Sequence, residues 1–171
     1  IMDDAISIQR LNQMHPKVRA KALADYRGAN ALLGKGVRLR VVYSGRTFAE
    51  QDALYAQGRT KPGKIVTNAK GGQSIHNYFL AWDFVILYDK NGDGNFEEAS
   101  YDMKRDGDKN GKSDWWTVIN YLISQGWKSG TQFKKLFDAP HVEYTFGHTW
   151  QTLLALHNAK KFIPGTTYVQ I

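Results

Sequence analysis

Residues 81–89, AWDFVILYD, are a run of large apolar side chains with one charge, Asp83, set inside it. β-Branched and aromatic residues at this density predict a buried strand. Just upstream, SIHNYFL places His76 in equally apolar company. An imidazole and a carboxylate in such surroundings are costly unless each has a partner. Either the pair caps and pins the strand, or it holds something that needs both groups.

The rest of the chain predicts what surrounds that strand. Residues 18–34 carry Val18, Ala22, Tyr26, Ala29 and Leu33 at helical spacing and stop at Gly34. VRLRVVYSG (37–45) reads as a strand ending at Gly45. Thr47 and Glu50 have capping-box spacing and open a helix that ends at Gly58, so Arg46 falls at a strand-to-helix junction, where side chains commonly face a cleft. A Gly- and Lys-rich loop covers 61–73, and a helix is predicted from Asp114 to Gln125 with Trp115, Val118, Ile119 and Leu122 on one face. Residues 133–137 and 141–146 read as extended, separated by Asp138-Ala139-Pro140; a last helix begins at Thr149, and TYVQI at the end reads as a closing strand. Strands and helices mix without a βαβ rhythm, which predicts an α+β fold, a small antiparallel sheet flanked by helices. A chain of 171 residues, 42% hydrophobic, is long enough for a sizeable core, so 1–171 is expected to be a single domain with an acidic insert at about 89–114.

Charge narrows the function classes. The net charge is +7, yet half of the 16 acidic residues fall between Asp89 and Asp114, so the remaining body is strongly basic. Such a body suits a polyanion, either nucleic acid or an anionic bacterial envelope. The sequence carries no nucleic-acid motif, and none of its apolar runs approaches the ~20 residues of a membrane-spanning helix. Its start, IMDDAISIQRLNQ, lacks a signal-peptide profile and begins with Ile. We expect a trimmed or processed product, exported by a removed signal or released by another protein such as a phage lysis system.

With no cysteine in the chain, any transition metal must be held by His and carboxylate. His76 and Asp83 are candidate ligands, one in a loop and one on the following strand. The third candidate is His141 in FDAPHVEY, with Asp138 three residues before it as a free carboxylate for proton transfer. Glu143 shares a strand face with His141 and competes for either role. His148 and His157 are alternative ligands beside and within the last helix.

SGRTFAEQDALYAQGRTKPGKIVTNAKGGQSIHNYFLAWDF followed by LFDAPHVEY resembles peptidase family M15, zinc peptidases that cut D-alanyl-D-alanine and related peptidoglycan bonds. Within it the nearest branch is that of phage endolysins and bacterial L-alanyl-D-glutamate peptidases. The family pattern is Ser-x-His-x-x-Gly-x-Ala-x-Asp, then an acidic residue three before a final His, and the likeness covers roughly residues 37 to 156. It implies the D-Ala-D-Ala metallopeptidase fold, with zinc held by His76, Asp83 and His141, and Asp138 as general base. It also implies Arg46 as the arginine that contacts substrate and the developing oxyanion, with Gln51 and Ser74 as further substrate-binding pocket positions that supply supporting hydrogen bonds. The substrate implied is the peptidoglycan stem peptide, cut between L-Ala and D-Glu in the cell wall or periplasm by a monomer that binds no nucleic acid. A D-alanyl-D-alanine carboxypeptidase or dipeptidase, and a non-catalytic wall-binding module, are the alternatives. One departure stands out: Phe79 occupies the family's glycine position, so a distorted turn or reshaped pocket is expected there.

The insert, DKNGDGNFEEASYDMKRDGDKNGKSD, contains two calcium-loop patterns. Asp89, Asn91, Asp93, Asn95 and Glu97 form the first, with Gly94 at its turn; Asp106, Asp108, Asn110 and Asp114 form the second, with Gly111. Oxygen ligands at alternate positions around a glycine turn are the EF-hand arrangement. Position 12 would be Ser100 or Thr117 instead of the usual Glu, which predicts reduced affinity.

Overall fold

The computed structural model describes residues 3–171. Helices α1 (Ala5–Leu11) and α2 (Pro16–Ala31) precede strand β1 (Val37–Tyr43). Helix α3 (Phe48–Ala56) and a 3-10 turn (Ile75–Tyr78) lead into β2 (Ala81–Tyr88). Then follow β3 (Glu98–Ser100), α4 (Asp114–Ser124), β4 (Lys128–Gly130), β5 (Asp138–Glu143) and α5 (Trp150–Asn158). The fold is α+β, as expected.

The apolar run is the centre of the sheet. The strands are ordered β1-β2-β5-β4, every pair is antiparallel, and β3 pairs with the second half of β2. Every residue of β2 except Asp83 is buried. Trp82 and Phe84 bring it into an aromatic cluster: Trp82 meets Trp127 edge-on at 5.8 Å between ring centroids, and Phe84 lies 4.8 Å from Trp115. Trp115, Val118, Ile119 and Leu122 supply the buried face of α4, as their spacing predicted. Against α4 packs α2, whose Gly28 lies so close that an added Cβ would fall 1.9 Å from the Tyr121 hydroxyl. The indole Nε1 of Trp127 donates to Asp25 of α2 (2.7 Å), giving that buried N–H its partner.

Several sequence expectations fail locally, each for a physical reason. Residues 133–137 are a loop, not a strand; Phe133 N–H closes a turn onto the Gly130 carbonyl. Strand β5 instead starts at Asp138 and runs through Pro140. The β4 register jumps from Ser129↔Val142 to Gly130↔Asp138, so Pro140 sits in a bulge where its missing N–H costs no ladder bond. The TYVQI segment makes only an isolated bridge, Val169 with Phe162. Helix α1 had no cap to announce it, since Asp4 makes no side-chain cap bond there. Tertiary bonds hold it instead: Ser7 Oγ donates to Asp4 (2.6 Å) and accepts from Val41 N–H (2.8 Å), while Arg40 grips Asp4 through two bonds of 2.8 Å.

His15 joins both ends of the chain. It is buried, its Nε2–H donates to the Val169 carbonyl (2.7 Å), and its Nδ1 caps α2 by accepting from Lys17 N–H (3.0 Å). The bond at Nδ1 needs the neutral ring, and burial, opposed by the Val169 bond, lowers its pKa below 6.5. The unfolded chain thus takes up this proton at higher pH than the folded one. Stability is full above 6.5 and falls as pH drops below it, until the folded ring also protonates. Urea unfolding at pH 8 and pH 5 should show His15→Asn about 1 kcal/mol less stable at pH 8 but with a flatter loss toward pH 5. Equal pH slopes in the two proteins would contradict this role.

Candidate metal centre

Local sequence chemistry delivers three side chains to one point. Ser74 caps the 3-10 turn, its Oγ accepting from His76 N–H (3.3 Å). Asn77 braces the same turn from beneath: its Oδ1 accepts from Gly72 and Ser74 N–H, and its Nδ2 donates to the Arg46 carbonyl (3.1 Å). The turn points His76 at the edge of β2, where Asp83 stands directly across from His141 of β5. His76 Nε2 lies 3.1 Å from Asp83 Oδ1 and 3.1 Å from His141 Nδ1, and His141 Nδ1 is 3.4 Å from Asp83 Oδ1. Both histidines are buried.

These three atoms are all electron-rich, so their approach requires a positive charge among them. Burial pushes the His76 imidazole toward its neutral form. Burial opposes charge on His141 as well, but Asp83 and Glu143 outweigh it and lift its pKa to about 9. Asp83, despite the opposing effect of burial, is held well below the usual carboxylate range by the two rings. A proton meets the requirement, and so does a metal cation. A tetrahedral zinc with bonds of ~2.0 Å would space its ligands by ~3.3 Å, which is the spacing found, and two imidazoles with a carboxylate are a suitable donor set. Glu143, weighed above as a rival ligand or base, instead accepts from His141 Nε2–H (2.8 Å). With a metal bound, that bond would fix the tautomer and leave Nδ1 as the donor atom beside His76 and Asp83.

The trio lies in the wall of an open cavity of about 1190 Å³. Arg46, Ser74 and Asp138 line it, together with exposed apolar residues such as Ile65, Val66 and Leu136. Arg46 Nη1 donates to Gln51 Oε1 (2.8 Å). Gln51, expected among the substrate-binding residues, is fully buried and outside the cavity lining; its Nε2 donates to the Ala69 carbonyl (2.9 Å) and so ties Arg46 to the 61–73 loop. Asp138 has a raised pKa, mainly from burial and then from the charge of Asp83. Its backbone abuts Gly130, where a Cβ would lie 2.0 Å from the Asp138 carbonyl oxygen. His148 and His157 stand apart from the trio: His148 bonds Thr152 (3.1 Å), and His157 stacks on Phe48 at 4.3 Å. Sequence reasoning passed over Asn77, although its three-residue spacing from Ser74 is the same capping-box signal that was read at Thr47.

The acidic insert forms two more carboxylate clusters, Asp89/Asp93/Glu97 and Asp106/Asp108/Asp114. Asn91, Asn95 and Asn110 are exposed on the same loops.

No protein-family profile matches the chain. It is, however, 42% identical over 132 residues to the peptidoglycan L-alanyl-D-glutamate endopeptidase CwlK of Bacillus subtilis (strain 168), an alignment spanning 77% of this chain and 74% of that protein. The chain belongs to peptidase family M15. Among the described residues, no helix is long and apolar enough to cross a membrane.

Phe79, at the M15 glycine position, closes the 3-10 turn in the left-handed region (φ 60°, ψ 36°). The turn that a glycine would make is therefore kept, at a cost of roughly 1–2 kcal/mol for a residue with a Cβ. The ring lies outside the cavity lining, packed edge-on to Tyr168 at 5.8 Å and over Gly45, where an added Cβ would fall 2.1 Å from it. Gly45→Ala should destabilise by about 2 kcal/mol or more by overpacking, and adding Phe79→Gly should recover most of that loss in denaturant unfolding. Additive losses in the double variant would refute this packing.

Proposed function

We propose that this chain is a zinc-dependent peptidoglycan hydrolase that cleaves the stem peptide between L-alanine and D-glutamate. The observation that carries the reading is the convergence of His76 Nε2, Asp83 Oδ1 and His141 Nδ1, 3.1–3.4 Å apart, beside a cavity that also presents Asp138 and Arg46. The related Bacillus enzyme's activity supports the choice of bond. A purely wall-binding module gives no reason for this trio, and the basic body then serves to attract the enzyme to an anionic wall.

His76, Asp83 and His141 would hold the zinc. When bound, it supplies a Lewis acid for the scissile carbonyl and lowers the pKa of water. Asp138 takes a proton from the attacking water on a carboxylate oxygen and passes it to the departing amine nitrogen. Its half-buried site keeps competing solvent contacts few. Arg46 directs its guanidinium at the charge that builds on the carbonyl oxygen, and Gln51 prevents it from swinging away. Ser74 acts through the 3-10 turn by fixing the angle at which His76 is presented. Glu143 steadies His141 from behind. The cell wall is the place of action that this substrate implies.

Purified protein incubated with sacculi should release peptides with a free N-terminal D-Glu, read by mass spectrometry of the muropeptides. Loss of a single terminal D-Ala would instead indicate a carboxypeptidase. Asp138→Asn should lower kcat by about 10²–10⁴ with little change in thermal stability, and Arg46→Ala by about 10²–10³. Full activity in Asp138→Asn would remove the proposed base.

A further inference from the structure

The second acidic loop contains a feature that the peptidase chemistry does not use. Asp106, Asp108 and Asp114 each offer a carboxylate oxygen, all within 4.8 Å of one another. Asp114, the first residue of α4, is only 1% exposed. Its Oδ2 accepts from the Tyr88 hydroxyl (2.7 Å) and from Gly107 N–H (2.8 Å). Its Oδ1 is buried with no hydrogen-bond partner. A buried carboxylate oxygen without a partner, on a residue clustered with two further carboxylates, is costly unless a proton or a cation takes it up.

We propose that residues 106–114 form a calcium site that fastens the start of α4 to the end of β2. Asp106, Asp108, Asn110 and Asp114 stand at positions 1, 3, 5 and 9 of the loop, and the Lys112 carbonyl falls at position 7. Five oxygens completed by water suit Ca²⁺, which takes about 6–8 oxygen ligands in a flexible geometry. The absence of nitrogen donors disfavours zinc here. Asp114 Oδ1 gains the partner it lacks, and three elements become tied to one ion. Tyr88 is the last residue of β2, Asp114 opens α4, and Asp108 Oδ2 accepts from Gly34 N–H (2.8 Å) just beyond α2. The site lies about 17 Å along β2 from Asp83, five residues at strand rise, and so is separate from the His76 centre. The first loop has no equivalent. Asp93 and Glu97 are exposed, and no buried side-chain atom there lacks a partner.

Calcium chloride titrated into the full, metal-loaded chain, first stripped of calcium, should give one calorimetric binding event. At saturation the Tm should rise by roughly 5–10 °C. Terbium in place of calcium should luminesce through the neighbouring Trp115 and be displaced by calcium. Asp108→Asn and Asp106→Asn should lose the Tm response, whereas Asp93→Asn in the first loop should keep it. Absence of calcium binding by the unmodified chain at millimolar concentration would overturn the proposal. So would a response that survives Asp108→Asn but vanishes in Asp93→Asn. If the loop variants fail to fold, calorimetry on the unmodified chain and on Asp93→Asn still decides.

Discussion

The register of β2 against β5 is the constraint on which the site depends. Asp83 faces His141 across the ladder, flanked by the pairs Trp82↔Val142 and Ala81↔Glu143. Side chains alternate along a strand, so a slip of one residue would send Asp83 into the core and Trp82 out of it. Burial of Trp82, Phe84 and Val142 makes that slip prohibitively costly, and the apolar core thereby sets the geometry of a polar centre. The same register puts Glu143 two residues beyond His141 on one face, where it bonds the imidazole from behind. His76 comes from outside the sheet, on a turn short enough to be fixed by Ser74, Asn77 and a left-handed Phe79.

Much of this was legible in the sequence because the relevant signals are local. Strand β2 announced itself by density of apolar side chains, α3 by its capping box, and α4 by one clean apolar stripe. The convergence of His76, Asp83 and His141 was legible because these residue types are rare in such company and stand in the family's order. Features set by distant contacts were not legible. Helix α1 has no cap and rests on Asp4, Ser7 and Arg40, and β4 is only three residues long, paired through a bulge. Pro140 reads as a strand breaker in isolation, whereas its bulge removes the objection. The contact through which Gln51 supports Arg46 is likewise not written in the motif. A match to a pocket motif does not say whether a side chain faces the cavity or holds one that does.

Phe79 adopts a left-handed conformation at a position where the family pattern has glycine. The left-handed turn after His76 has to be made, and here a residue poorly suited to it is held there by tertiary contacts. Gly45 yields the space for its ring, and Tyr168 covers the other side. Strain at the turn is thus offset by packing between the 3-10 turn, the β1–α3 junction and the chain's end. The ring does not itself line the cavity, and its contacts are with Gly45 and Tyr168.

The role proposed for His76, Asp83 and His141 is to hold a metal, rather than to share a proton as a buried polar cluster. Elemental analysis of the purified chain for zinc tests it most directly. About one zinc per chain is predicted, falling to background in His141→Ala that retains its fold by circular dichroism. A chain that hydrolyses peptidoglycan at its normal rate with no zinc or other transition metal bound would contradict the account.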